Sequence, residues 1–121
     1  MAQINQDLVI YAGNDIDIRF EGIFDEGNNE IIAQGDILGA TFAVSPYQEF
    51  MTIPLIEKSL SASGITVPAD GIIVVRIEAS DTEDLYGEFS MELKLLDVSG
   101  SVITASRGRI SIKYSIASNP V

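Results

Sequence analysis

Glu88-Phe89-Ser90-Met91-Glu92-Leu93-Lys94-Leu95 sets polar and apolar residues in strict alternation over eight positions. Successive side chains of an extended chain point to opposite faces, so Phe89, Met91, Leu93 and Leu95 share one face and the four polar residues the other. The stretch predicts a long strand with one face buried and one in water.

The same rhythm runs outward in both directions. Ser99-Gly100 turns the chain into a last strand in which Ile110, Ile112 and Tyr114 are expected to face inward. Upstream, Ala79-Ser80-Asp81-Thr82-Glu83-Asp84-Leu85 is the one candidate for helix, a single turn that Ser80 or Asp81 can cap. Ile72 to Glu78 is the most apolar segment and is expected to be central in its sheet. Before it, Ile65-Thr66-Val67 is a short strand closed by the turn Pro68-Ala69-Asp70-Gly71. Ile53 to Leu60 forms a further strand, with Pro54 suiting an edge or a strand entrance. Gly39 to Val44 places Ala40, Phe42 and Val44 on one face and ends at Ser45-Pro46. Asp25-Glu26-Gly27-Asn28-Asn29-Glu30 reads as a loop tip or wide hairpin. Ile16, Ile18 and Phe20 alternate with Asp15, Asp17, Arg19 and Glu21, and Asp7 to Tyr11 opens the series. About seven strands with no crossover helices, and at most one short helical turn, predict an all-β fold: an antiparallel immunoglobulin-like β-sandwich, one domain over residues 1–121.

Composition removes whole classes of function. The chain has no Cys and no His, which excludes disulfides, thiolate chemistry, the usual zinc ligands and the side chain that titrates near neutral pH unaided. Eighteen acidic against seven basic residues give a net charge of −11, which repels phosphate backbones and anionic lipid, so neither nucleic acid nor membrane is an expected partner. No apolar run approaches the roughly 18 residues of a membrane span, and residues 1–7 lack the basic and apolar segments of a secretory signal. Synthesis in a cytoplasm is the expectation.

No constellation points to catalysis or to a cofactor. Asp81, Glu83 and Asp84 lack the alternating spacing and glycine of a calcium loop, and read as capping plus a solvated face. Asp25, Glu26 and Glu30 sit on a Gly/Asn loop that would not fix their separation; with Asn28 and Asn29 they are candidates for partner contact. A Ser–Lys nucleophile would need a desolvated lysine, and Lys58, Lys94 and Lys113 are expected to point outward. Arg107 and Arg109, flanking Gly108, form the only local positive spot; they either neutralise neighbouring acids or clamp a partner's carboxylates.

The order of motifs carries a resemblance. Tyr11-Ala12-Gly13-Asn14-Asp15-Ile16, Gly35 through Val44, Gly64-Ile65-Thr66-Val67, Ser80 through Phe89, Asp97-Val98-Ser99-Gly100-Ser101 and Arg107 through Ile112 follow one another in register. Over nearly the whole chain this is similar to the small immunoglobulin-like domains of tailed bacteriophages, including the N-terminal domain of phage baseplate upper proteins. Two positions depart from that pattern: Phe89 stands where a Tyr is usual, and Ile37-Leu38 replaces Leu-Thr.

The resemblance implies a non-enzymatic virion protein, made in the host cytoplasm and incorporated in many copies or as a homo-oligomer. As an accessory subunit of the capsid surface or neck it would bind the major capsid protein. As an adaptor or attachment module it would bind tail or baseplate proteins. A cell-surface or carbohydrate-binding sandwich is a third reading, for which a chain with no Trp and four Tyr is poorly equipped.

Overall fold

The computed structural model describes residues 4–25, 30–46 and 54–114. In chain order the strands are β1 (Ile4–Tyr11), β2 (Ile16–Phe20), β3 (Phe24–Asp25), β4 (Glu30–Ile31), β5 (Ile37–Pro46), β6 (Ile56–Ser59), β7 (Ile65–Ala69), β8 (Ile72–Ile77), β9 (Gly87–Asp97) and β10 (Val102–Lys113). One α-helical turn, α1 (Ala79–Thr82), connects β8 to β9, and a 3-10 turn over Gln34–Asp36 precedes β5.

Two sheets form the layers, one of five strands in the order β1-β10-β9-β5-β6 and one of three in the order β2-β8-β7; β3 and β4 pair as a separate ribbon. The division is that of an immunoglobulin-type sandwich. β2, β8 and β7 stand where strands B, E and D of that fold do, and β5, β9 and β10 where C, F and G do. β8 is central in its sheet, as its apolar run requires, and β6, with Pro54 just before it, is an edge.

Alternation fills the space between the sheets. β9 contributes Phe89, Met91, Leu93 and Leu95, β5 contributes Ala40, Phe42 and Val44, and β8 contributes Ile73, Val75 and Ile77, all buried in one cluster. The layers meet ring to ring at Phe20 of β2 and Phe42 of β5, 6.1 Å between centroids and tilted by 50°, a geometry aromatic pairs favour. Pro68 sits in edge strand β7, where the register with β8 slips between Thr66 and Ala69, so its missing donor interrupts no central ladder.

The sheets are antiparallel, as expected, apart from β1, which runs parallel to β10 from Ile4 opposite Ser106 to Tyr11 opposite Lys113; local alternation does not say which strand a strand will join. Three readings of the sequence are corrected. Tyr114 is 71% exposed because β10 ends at Lys113 and the inward rhythm ends with it. The cap of α1 is Glu78, not Ser80 or Asp81: the Glu78 side chain accepts from the Asp81 backbone N–H while Asp81 Oδ2 accepts from the Glu78 N–H at 2.8 Å, a reciprocal box. Lys58 does not point outward. Its side chain is 14% exposed, because it sits opposite Phe42 on the inner face that Ile56 also occupies.

Candidate interaction surface

The expected contact residues fall on two separate elements. Asp25 and Glu30 pair across the β3–β4 ribbon, Glu30 is exposed, and Glu26, Asn28 and Asn29 lie outside the described residues. The ribbon is anchored at its base. Ile32 N–H donates to the Ile23 carbonyl at 2.9 Å, Gly71 N–H to the Ile32 carbonyl at 2.8 Å, and Ile23 N–H to the Gly71 carbonyl at 3.2 Å. Gly71 has φ +69°, and a Cβ there would come within 2.2 Å of Ile31 Cγ2, so only glycine lets the β7–β8 turn lie against the ribbon.

Arg107 and Arg109 stand instead on the outer face of the five-stranded sheet. Arg107 faces Glu92 across the β9–β10 ladder, with Nε 3.3 Å from Oε2. Arg109 Nε is 3.9 Å from Glu88 Oε2, and the Arg109 backbone N–H donates to Asp7 Oδ1 at 3.3 Å. Lys94 approaches Glu92 at 3.8 Å, and the Ser111 hydroxyl donates to Glu88 at 2.8 Å. These side chains are about half exposed, so the contacts are worth little to stability. What they form is a ladder of alternating charge.

The ladder is flanked by apolar and aromatic ends. Leu96 and Val102 are direct cross-strand partners, both exposed, with Leu38 and Val98 exposed near them at the β9–β10 turn. At the opposite end Tyr86 and Tyr114, both exposed, meet with ring centroids 4.7 Å apart and planes tilted by 47°.

Charge is unevenly distributed. The outward charged residues of β1, β10 and β9 are Lys94, Arg107, Arg109 and Lys113 against Asp7, Glu88 and Glu92. The remainder of the chain carries three basic and fifteen acidic residues. This strip is thus near neutral on a protein that is otherwise strongly anionic.

A second charged cluster, unread in the sequence, runs from the outer face of the three-stranded sheet to α1 and the edge strand β6. Arg76 of β8 reaches Asp15 at 3.5 Å, Asp17 at 3.4 Å and Glu78 at 3.6 Å. Its guanidinium is held above its ordinary pKa by the hydrogen bond to Asp17, with Asp15 and Glu78 adding to the effect. Lys58 Nζ is 2.7 Å from Asp81 Oδ2. The two cations border a shallow open pocket of ≈ 380 Å³ together with Ser63, Thr66 and Val74, and both are already engaged by these acids. The signal for Lys58 was available: it lies two residues from Ile56, hence on the same face.

The cluster is fastened to a buried joint. The Thr82 hydroxyl, in a residue with no exposed surface, accepts from the Gly13 N–H at 2.9 Å, and Asp15 Oδ1 accepts from the Ala79 N–H at 2.7 Å. The β1–β2 turn and α1 are locked together by these two bonds. Asp81, expected as a cap on spacing alone, serves here as the N3 half of the box and as the partner of Lys58. No protein-family model matches the chain, and no curated protein matches it in sequence.

Proposed function

We propose that the chain is a non-enzymatic structural protein of a tailed-phage virion, an accessory subunit of the capsid surface or neck that binds other virion proteins, the major capsid protein first. The observation that carries this reading is where the motifs of the resemblance fall. Tyr11 to Ile16 makes the β1–β2 turn, Gly35 to Val44 leads into β5, Ser80 to Phe89 spans α1 and the entry to β9, and Asp97 to Ser101 turns β9 into β10. They occupy the joints of one sandwich, in order.

The surface chemistry favours docking over turnover. The cations bordering the pocket are engaged by Asp15, Asp17, Glu78 and Asp81, whereas the exposed strip of β1, β10 and β9 offers apolar and mixed-charge area to a partner. A subunit of net charge −11 loads most readily onto a more basic scaffold, and that attraction weakens as salt screens it.

The test is co-sedimentation of the purified chain with purified phage heads and, separately, tails. Retention by heads, with affinity falling as ionic strength rises, is the expected result. Binding to tails alone moves the protein to the adaptor reading, and binding to neither sinks the virion assignment. Reproducible hits on a glycan array would replace it with a carbohydrate-binding one.

A further inference from the structure

The register between β9 and β10 makes the outer face of the five-stranded sheet complementary to itself. We infer that this face is an isologous contact between two copies of the chain, related by a two-fold axis that runs parallel to β9 and β10 and between them. Such an axis lays β10 of one copy over β9 of the other and keeps residues at the same level along the strands opposed.

Each opposition is then favourable. Arg107 and Glu92 are cross-strand partners, so Arg107 of one copy faces Glu92 of the second copy, and the converse contact repeats it. The intrachain pair at 3.3 Å thereby becomes a square of four charges alternating in sign, a network in place of an isolated exposed pair. Arg109 lies one diagonal step from Glu88, as the 3.9 Å approach within the chain shows, and that reach works equally across the axis. Leu96 and Val102 are likewise partners, so each covers the other residue in the second copy and both leave water.

Charge selects the occupant. The outward charged residues of β1, β10 and β9 comprise four basic and three acidic, whereas the rest of the chain holds three basic and fifteen acidic. Two copies that approach by other surfaces bring acid against acid. Through this strip they bring arginine against glutamate, which selects both the partner and the orientation.

This inference concerns the purified chain and stands or falls without the virion assignment. Sedimentation velocity from about 1 to about 300 µM at near-physiological salt, a span that covers weak and moderate interfaces, should show a monomer–dimer equilibrium. R107E/R109E leaves the strip with five acidic and two basic residues and E88R/E92R with six basic and one acidic, so each variant alone should be monomeric, its Kd raised at least about 100-fold. Mixed, they should form a 1:1 heterodimer, because the acidic strip of one then covers the basic strip of the other. The heterodimer also demonstrates that both variants are folded. A monomeric wild type across the range overturns the inference, as do variants that dimerise alone like wild type or a mixture that stays monomeric.

Discussion

The corner around α1 and the ladder of β9 and β10 use similar materials to different ends. Each has a buried hydroxyl and a set of exposed arginine–carboxylate pairs. At the corner the Thr82 hydroxyl is bonded to the Gly13 N–H, and the neighbouring Asp15 holds both the Ala79 N–H and Arg76. In the ladder the Ser106 hydroxyl is buried with no hydrogen-bond partner among the described residues, and the backbone is held by the β-ladder itself. The corner's polar groups therefore hold the fold together. The ladder's charged pairs lie at the exposed surface and add little to that hold.

The sharpest way to break this contrast is Thr82→Val, which keeps the shape of the side chain and deletes the acceptor. The Gly13 N–H is then buried with nothing to receive it, a loss of about 1–3 kcal/mol, measured as a fall in the midpoint of chemical denaturation. A variant as stable as wild type would mean the joint is not what holds the β1–β2 turn. Ser106→Ala is the converse in the ladder. Removing a buried hydroxyl with no partner among the described residues should raise stability by about 1 kcal/mol, read in the same titration. A loss in its place would show that Ser106 has a polar role.

Arg76→Gln and Arg107→Gln make a smaller, paired test. Arg76 has three acids around it and a raised pKa, so its loss leaves Asp15, Asp17 and Glu78 facing one another beside the joint. A modest fall in stability is expected, well below that of Thr82→Val and reduced by added salt. Arg107→Gln should stay within about 0.5 kcal/mol of wild type, with its effect appearing in self-association. Equal stability losses in the two variants would erase the distinction between the faces.

Much of the sandwich was legible in the sequence because alternation is a local property: the inward faces of β2, β5 and β9 were readable residue by residue, whereas the apolar run of β8 gave only its central place. What escaped depends on partners distant in the chain. Arg107 and Arg109 were recognisable as the positive spot, but that Glu92 and Glu88 lie against them follows from the β9–β10 register, which the motif order does not contain. The parallel pairing of β1 and the near-neutral strip it completes are hidden for the same reason. Lys58 was expected to point outward by alternation, although its spacing from Ile56 pointed inward. The flanks of the loop tip or wide hairpin expected at Asp25 to Glu30 pair antiparallel, residues 26–29 lying outside the described residues, and their anchor at Gly71 depends on a turn forty residues away.

The smallest expected effect is at the end of the ladder, in the turn that joins β9 to β10. Asp97 Oδ1 accepts from the Ser99 hydroxyl at 2.6 Å and from the Ser99 and Ser101 backbone N–H groups at 3.0 Å each. The Ser99 hydroxyl is the main reason its carboxyl is held below the usual carboxylate range, with the backbone donors adding to it and partial desolvation working against it. A carboxylate whose folded pKa is depressed contributes stability that is fully present above the unfolded value of about 3.9 and is lost as pH falls through the folded value. Asp97→Asn keeps an acceptor in place and removes the charge. Wild type should therefore exceed the variant slightly at neutral pH, and the gap should close below about pH 4. Because the group is at the surface, added salt should narrow the gap at neutral pH. Denaturation midpoints measured for both proteins between pH 2 and pH 7 decide the matter, since parallel curves would mean the turn is held by its backbone geometry and not by the charge of Asp97.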